Sequence, residues 1–388
     1  MSELNQKNEA WFHRQLLATA SALALLGYSA EAAARNDDEP QVWIELGGQL
    51  TRLDVGQESF LPEIMQDRPS IFHSSTKLEK LPHQSFDEAG KISFQPSGSD
   101  WIVSAGVRYG RSVRKVDVIQ QTHPEPFHNT YFYNGGTSII YQAHPGPLAF
   151  RFASTQMKAD ESHLVIDFQA GKDVGLGLFG GSSQINLGVR FAQFDNKSNI
   201  TLNSDPDWKR FYKYATFSSI FPNFVHFKGW GGEGYHHHSG SLQAERSFHG
   251  IGPSLSWNGS SPFAGNREDG ELLIDYGANL AVLFGRQRAK VAHQTSGNYH
   301  THFMGYSSHG RHIQTALAAT AHTRSRTLIV PNVGALAGIS YRIHDFKISA
   351  GYRADFFFNA MDGGNDARRT EKIGNYGPFA TVSFGLGG

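Results

Sequence analysis

Apolar and polar residues alternate one by one along several stretches of this chain. In residues 327–341 one parity carries the apolar side chains, namely Ile329, Val333, Ala335, Ala337, Ile339 and Tyr341. The other parity, continued one residue further, carries small or polar side chains, namely Asn332, Gly334, Gly338, Ser340 and Arg342. Neighbouring side chains of a β-strand point to opposite faces, so this period of two predicts a strand with one apolar face. A soluble sandwich and a barrel in lipid both contain such strands, and other features must separate them.

The same alternation predicts ten strands. Their approximate extents are 42–54, 101–109, 112–120, 164–170, 185–191, 251–257, 272–284, 327–341, 346–358 and 376–386. The pattern is cleanest in 272–284 and weakest in 112–120. Each strand offers roughly the 9 to 11 residues that a tilted transmembrane strand requires. We therefore predict an all-β fold, a closed antiparallel transmembrane β-barrel of about ten strands, with twelve as the alternative count.

The connections between these strands alternate in length. The shorter ones are 110–111, 171–183, 258–270 and 344–345, and the long polar ones are 55–99, 121–161, 196–241, 292–326 and 360–374. Short periplasmic turns and long extracellular loops are the rule for outer-membrane barrels, whereas a sandwich has no reason to alternate in this way. An even number of strands places both ends of the barrel on the periplasmic side.

The first 34 residues have the order of a secretory signal. Lys7, His13 and Arg14 supply a basic start, residues 16–26 form an apolar core, and Ala30-Glu31-Ala32 offers a cleavage site. This core is too short to span a bilayer as a helix, and no later run reaches the roughly 18 apolar residues that a membrane helix needs. We predict a cleaved signal peptide over 1–34 and a single barrel domain over 35–388, exported to the cell outer membrane. An amphipathic N-terminal helix is the alternative.

Composition excludes several classes of function. The chain has no cysteine, which removes disulfides, thiol catalysis and zinc–thiolate sites. Lys and Arg number 35 and Asp and Glu also number 35, so there is no electrostatic case for a nucleic-acid partner. We expect no cofactor. The abundant glycine and aromatic residues suit the crowded interior and the membrane interfaces of a barrel.

Charged residues of both signs fall on the parity opposite to the apolar face. They are Glu45, Arg108, Asp167, Arg190, Asp275, Arg342, Lys347, Arg353 and Asp355. Facing lipid, basic residues would cost about 2 to 4 kcal/mol each at the membrane midplane, and acidic residues somewhat less. Their parity therefore predicts that they line the lumen. Two interpretations stay open: a pore lining that selects ions, or a narrow lumen closed by ion pairs and side chains.

Other candidate motifs carry less weight. Residues 175–180 match the G-x-G-x-x-G pattern, but a strand rather than a helix follows, so we interpret them as a hairpin turn. His236-His237-His238 and six histidines within 292–326 predict solvated loops, and a weak metal-binding or pH-responsive surface is the alternative. Ser254 and Ser256 lie near His249 in sequence, but no orienting partner can be placed, so we predict no catalysis and no metal site.

The last strand has the form of an assembly signal. It carries aromatic and apolar residues at one parity, including Tyr376, Val382 and Phe384. The machinery that inserts outer-membrane barrels reads such a strand. We therefore expect this machinery and outer-membrane lipid as partners, together with small solutes or ions if the lumen is open. Whether the protein forms oligomers is left open.

Several segments resemble a known family. They are Leu164-Val-Ile-Asp-Phe-Gln-Ala-Gly171, Leu187-Gly-Val-Arg-Phe-Ala-Gln-Phe194, Phe248-His-Gly-Ile-Gly-Pro-Ser-Leu255, Glu45-Leu-Gly-Gly48 and the closing Gly377-Pro-Phe-Ala-Thr-Val-Ser-Phe-Gly-Leu386. The chain resembles the Legionella-type major outer-membrane protein family of pore-forming barrels. The resemblance implies an outer-membrane pore without a fixed substrate and without catalytic residues. The chain departs from this pattern in the two glycines after Leu386 and in its lack of cysteine, which rules out disulfide-linked subunits.

Two hypotheses for function follow. The first is a porin-like channel for the passive diffusion of small solutes or ions. The second is a structural or adhesive barrel with a closed lumen, whose extracellular loops bind a partner.

Overall fold

The computed structural model describes most of the barrel. The described residues are 41–55, 58–60, 76–78, 83–122, 130–134, 137–141, 151–175, 177, 181–206, 210–217, 225–266, 268–305 and 309–386. The predicted signal peptide lies outside these ranges. Among the described residues, no helix has the length and apolar character needed to cross a membrane.

The described part of the chain forms fifteen β-strands. They are β1 (Gln41–Val55), β2 (Glu58–Phe60), β3 (Thr76–Leu78), β4 (His83–Gln95), β5 (Trp101–Thr122), β6 (Thr130–Asn134), β7 (Thr137–Tyr141), β8 (Arg151–Asp173), β9 (Ser182–Pro206), β10 (Arg210–Phe217), β11 (Val225–Asn266), β12 (Gly270–Gly305), β13 (His309–Ile343), β14 (Phe346–Asp362) and β15 (Thr370–Leu386).

Ten of these strands close into a barrel. Around the ring the order is β1-β4-β5-β8-β9-β11-β12-β13-β14-β15, and every neighbouring pair is antiparallel. The ring closes where the last strand pairs with the first, for example with Phe384 opposite Ile44. The predicted closed ten-stranded barrel is confirmed. The short strands β10, β7 and β6 extend the sheet from the beginning of β11, away from the periplasmic turns.

Two of the ten predicted strand assignments are wrong, and the errors cancel in the count. The predicted strands 101–109 and 112–120 are one strand, β5, so Gly110 and Arg111 lie within it instead of forming a turn. The missing strand is β4, which lies inside the predicted loop 55–99. Its outward parity carries Glu88 and Gly90 between the apolar residues Phe86 and Ile92, which weakens the alternation.

Three of the predicted long loops are mostly strand. Regions 121–161, 196–241 and 292–326 contain large parts of β8, β9, β11, β12 and β13, so the barrel continues well beyond its apolar band. The predicted histidine-rich loops are therefore also corrected, because His236-His237-His238 lies on β11 and His293 and His322 lie on β12 and β13. In this extension the two faces exchange character: the inward residues are apolar and the outward residues are polar. The inward apolar residues include the buried cluster Met157, Ala159, Ile200, Leu242, Ala244 and Val291. Water outside replaces lipid there, and the apolar side chains face inward.

The outer wall of the lower barrel is apolar. Leu280 is 50 % exposed, and Val282 and Phe284 on the same strand and Ile329 and Ile339 on β13 are exposed as well. Exposed apolar rows of this extent are unusual for a protein in water and match the lipid-facing band of a membrane barrel. The connections at the lower end are short: residues 344–345 join β13 to β14, and β12 begins at Gly270 soon after β11 ends at Asn266.

Candidate functional site: the barrel lumen

The nine charged residues predicted to line the lumen all lie at inward positions of the barrel. Most have a partner of opposite charge inside it. The pairs are Arg108 with Asp355, Arg190 with Asp167, Lys347 with Asp275, and Arg342 with Glu271. The guanidinium of Arg353 lies 5.0 Å from the ring centre of Phe379, and Glu45 accepts a hydrogen bond from Ser383 at 3.5 Å. The inward placement follows the parity argument, but these pairings could not be read from the sequence.

A layer of polar side chains crosses the middle of the lumen. We define the polar layer as Arg108, Asp167, Arg190, Asn279, Asn332 and Asp355. Arg190 on β9 binds both oxygens of Asp167, at 2.7 and 3.0 Å, and its Nη1 also donates to Asn279 and Asn332 on β12 and β13. One guanidinium thereby connects four strands. Arg190 and Asn332 are both buried.

The other half of the polar layer is centred on Asp355. Its Oδ2 lies 2.6 Å from Arg108 on the opposite wall, and its Oδ1 accepts a hydrogen bond of 3.1 Å from Asn279. The carboxylate is 1 % exposed, so its charge needs compensation inside the barrel. Arg108 supplies it directly, and the charges of Arg190 and Arg353 contribute from nearby. Because Asn279 also contacts Arg190, the two halves form one network.

Gly334 makes room for this network. It lies on β13 between Asn279 on β12 and Asp355 on β14, as the strand register requires. A Cβ at this position would overlap Oδ1 of Asp355 and Nδ2 of Asn279. Only glycine lets these two side chains meet across the intervening strand.

An apolar layer lies directly above the polar layer, on the side away from the periplasmic turns. It is a buried cluster of twelve residues, Val165, Ala192, Phe194, Phe248, Ala281, Leu283, Leu328, Val330, Phe357, Ala360, Met361 and Ile373. The rings of Phe194 and Phe357 meet edge to face at 4.7 Å between centroids. This layer is a hydrophobic core inside the barrel, and it excludes water from this part of the lumen.

At the same height, the opposite wall carries a polar cluster that the sequence did not reveal. Asp87 on β4 accepts hydrogen bonds from Thr51, from Ser85 at 2.9 Å and from His163 at 3.0 Å. All four side chains are buried. They meet above Gly110, where a Cβ would overlap Asp87. The parity of β8 could have placed His163 inward, but Asp87 was missed together with β4.

The end of the β14–β15 hairpin folds inward above the apolar layer. We call residues 359–369 the cap. The pairing between the two strands is interrupted after Phe357, where residues 358–360 of β14 stand opposite a single residue of β15, Lys372. Within this bulge, Asn359 adopts a positive φ of 63°. This bulge turns Ala360 and Met361 into the apolar layer. The sequence predicted 360–374 as a loop, but it did not predict that the segment folds inward.

Arg324 on β13 holds the cap in place. Its guanidinium donates to three consecutive backbone carbonyls, those of Gly364 at 2.6 Å, Asn365 at 2.8 Å and Asp366 at 3.0 Å. Its Nε also donates to Asp362 at 3.0 Å. In turn, Asp362 accepts the backbone N–H groups of Gly364 and Arg369, both at 3.1 Å, and so fixes the turn of the cap.

Four further side chains on β11, β12 and β13 bind the cap. His293 on β12 lies 2.6 Å from Asp366, and Arg246 on β11 donates to Asn365 at 3.1 Å. Gln287 donates to the carbonyl of Ala360 at 3.1 Å and accepts from Arg368 at 2.9 Å. His322 contacts the carbonyl of Asn365. The cap is therefore attached to the barrel wall mainly through polar side chains from β11, β12 and β13.

The remaining candidate sites do not come together. Ser254 and Ser256 point into the barrel, where Gln169 bonds to both, whereas His249 is exposed on the outside. Within the described ranges, no group of three or more metal-ligating side chains is found. Of the glycine-rich segment 175–180, the structure describes Gly175 and Gly177 between β8 and β9, and Gly175 has a positive φ of 63°, as a turn requires.

The strand ladder and the apolar outer band define this chain as a transmembrane barrel of the outer-membrane type. Residues 129–386, more than half of the chain, match the family described as Legionella pneumophila major outer membrane protein precursor. The chain belongs to this family and is an outer-membrane protein. The predicted resemblance is thus confirmed. No curated protein matches the chain.

Solved barrels are similar only at low identity. The outer membrane protease OmpT from Escherichia coli matches with 10 % identity, a TM-score of 0.28 and coverage of 92 % of this chain and 99 % of that chain. A TodX deltaS2S3 mutant, a monoaromatic hydrocarbon channel, matches with 9 % identity, a TM-score of 0.22 and coverage of 90 % and 91 %. The transport unit of the autotransporter AIDA-I from Escherichia coli matches with 8 % identity, a TM-score of 0.17 and coverage of 95 % and 97 %. Similarities this weak carry no argument about function.

Proposed function

We propose that this protein is a porin-like channel for the passive diffusion of small solutes or ions, and that the described conformation is its closed state. The observation that carries the proposal is the cap, a single short segment that leaves the strand ladder and adds two residues to the apolar layer inside the lumen. Below it, the inner wall carries charges of both signs down to the periplasmic end. On this proposal the protein works without catalysis or a cofactor.

The way in which the cap is bound makes it the natural moving part. Its contacts with the wall are mostly hydrogen bonds from side chains to its backbone, centred on Arg324. The cap residues that join the apolar layer are Ala360 and Met361. Water can replace the hydrogen bonds when the cap swings out. Each bond between neutral groups therefore adds only about 0.5 to 1.5 kcal/mol net to the closed state, and each bond from charged Arg324 about 1.5 to 3 kcal/mol.

The polar layer below the cap restricts the lumen in a different way. In the described part of the barrel it consists of side chains anchored on the wall, and no backbone segment crosses it. Side chains change rotamer far faster than strands separate. An entering ion can therefore exchange places with one partner of Arg190 or Asp355 without unfolding the barrel.

The second candidate is a structural barrel with a permanently closed lumen. The apolar layer of twelve residues favours it, because exposing these side chains to a water-filled channel costs free energy. On this alternative the polar and apolar layers stabilise the barrel, and the extension beyond the membrane presents a surface to a partner.

Solute uptake into proteoliposomes tests the proposal. Arg324→Gln removes the main anchor of the cap, and Lys197→Gln removes one positive charge from an exposed outward position on β9. We expect Arg324→Gln to speed liposome swelling in small sugars several-fold, with Lys197→Gln equal to the wild type. If all three proteins are folded and equally impermeable, the structural alternative replaces the channel.

A further inference from the structure

The outward side of β12 changes abruptly from apolar to basic. Its outward residues up to Phe284 are apolar, and the next three are Arg286, Arg288 and Lys290, all exposed. Alternate residues of a strand lie about 7 Å apart, so the three cations form a row of about 14 Å.

This row begins where the membrane's hydrocarbon ends. Phe284 stands opposite Ile251 on β11 and Ile329 on β13, and all three are exposed apolar residues at the same level. One step further from the periplasmic end, Arg286 stands opposite His249 and Thr327. The guanidinium groups therefore lie at the level of lipid headgroups, directly above side chains that acyl chains would cover.

Hydroxyl groups surround the two arginines. Arg288 stands between Ser247 on β11 and Ser325 on β13. Arg286 donates from Nε to the hydroxyl of Ser325 at 2.7 Å, which leaves its two terminal nitrogens directed elsewhere. Lys290 stands opposite Glu245, so its charge is partly balanced. Among the described residues, Arg286 and Arg288 form no ion pair, and the positive charge is concentrated on these two side chains.

Elsewhere at this height the outward charges are mixed in sign. Arg111 on β5 is paired with Asp160 on β8 at 2.8 Å, and Lys197 on β9 stands between Asp160 and Glu245 in the strand register. Among the outward residues that the structure describes at this level, the purely positive patch on β12 therefore differs from the mixed charges on β5, β8 and β9.

We propose that Arg286 and Arg288, with the hydroxyls of Ser247, Ser325 and Thr327, bind a phosphate group of an outer-leaflet lipid. Guanidinium groups bind phosphate oxygens in pairs, and hydroxyl groups donate further hydrogen bonds. A lipid is favoured over free phosphate because its chains would cover Ile251, Phe284 and Ile329 immediately below. This proposal concerns the outer wall and does not depend on whether the lumen conducts.

Lipid titration of the folded protein in neutral detergent micelles tests this site. Diphosphoryl lipid A is the probe. The protein migrates differently in a gel when it unfolds, and the temperature at which half of it has unfolded is measured at each lipid concentration. We expect Arg286→Gln/Arg288→Gln to require at least tenfold more lipid for the same rise in midpoint. The matched control, Lys158→Gln/Lys197→Gln, removes two exposed cations from β8 and β9 and should change the requirement less than twofold.

Two outcomes would overturn the proposal. The first is an equal lipid requirement in the arginine variant and the control variant, because binding would then depend on overall charge or on no charge at all. The second is protection by inorganic phosphate at the same concentration as lipid A, which would identify a free anion instead of a lipid as the ligand. Restored affinity in Arg286→Lys/Arg288→Lys, by contrast, would support a phosphate site that charge dominates.

Discussion

Arg108 and Asp355 lie on opposite walls of the barrel, and Nη1 of the first is 2.6 Å from Oδ2 of the second. In the ring of strands, β5 and β14 are separated by β4, β1 and β15. A contact between them therefore passes through the lumen. Asp355 is 1 % exposed, so the carboxylate has little access to water if Arg108 is removed.

Breaking this pair from one side should be costly. We predict that Arg108→Met destabilises the barrel by about 3 to 5 kcal/mol, because it leaves the buried carboxylate without its ion-pair partner. Asp355→Leu should also destabilise the barrel. The loss of stability in the double variant should be about 1 to 3 kcal/mol smaller than the two single losses added together. Urea unfolding in micelles measures all three, and strictly additive effects would show that the two residues do not interact.

Crowding at Gly334 gives a second prediction. Gly334→Ala should cost about 1 to 3 kcal/mol, because its Cβ would separate Asn279 from Asp355. Gly90→Ala is the matched control, since the nearest atom outside its neighbours, on Leu46, would lie 3.7 Å from the new Cβ. Thermal unfolding compares the two variants. Equal stability would mean that the network does not need a glycine at this position.

The lipid-facing band gives a third prediction. Leu280→Arg should prevent assembly or destabilise the barrel by about 2 to 4 kcal/mol, because the arginine would face hydrocarbon near the midplane. Thr323→Arg places the same side chain outward on the neighbouring strand β13, above the apolar rows, and should assemble normally. Folded yield in the outer membrane distinguishes them. If both variants assembled equally well, the lipid-facing assignment would be wrong.

The closing strand gives a fourth prediction. Phe384 pairs with Ile44 of β1 and with Phe346 of β14, at the seam where the barrel closes. We predict that Phe384→Ser lowers the folded yield in the outer membrane far more than removal of Gly387 and Gly388. If the truncation had the larger effect, the terminal glycines would belong to the assembly signal.

The sequence predicted the architecture well because lipid imposes a simple rule. A strand in hydrocarbon must expose apolar residues at one parity, so Leu280 and Val282 could be assigned outward and Arg190 and Asp355 inward. The rule failed on β4, where Glu88 and Gly90 occupy outward positions. It also failed above the membrane, where the apolar parity moves inward, as at Leu242 and Val291, and the extended strands resembled polar loops.

The contents of the lumen were less accessible to sequence reasoning. Parity shows that Arg190 faces inward, but it does not show that it meets Asn332, because the two are 142 positions apart and on strands that do not pair. The inward fold of the cap depends on the bulge at Asn359 and on the carbonyl contacts of Arg324, neither of which leaves a periodic pattern. Pairing across a lumen requires the ring order and the register together.

The conductance of single barrels in a planar bilayer is the most direct test of the closed-channel account. The comparison is between the wild-type protein and a variant in which residues 363–368 are replaced by two glycines, which removes the part of the cap that Arg324 and His293 hold. We predict that the wild type is mostly closed with brief openings and that the shortened variant conducts continuously. Gel mobility before and after heating shows whether the shortened variant is folded. If the folded variant conducts no more than the wild type, the result contradicts the closed-channel account and favours a permanently closed structural barrel.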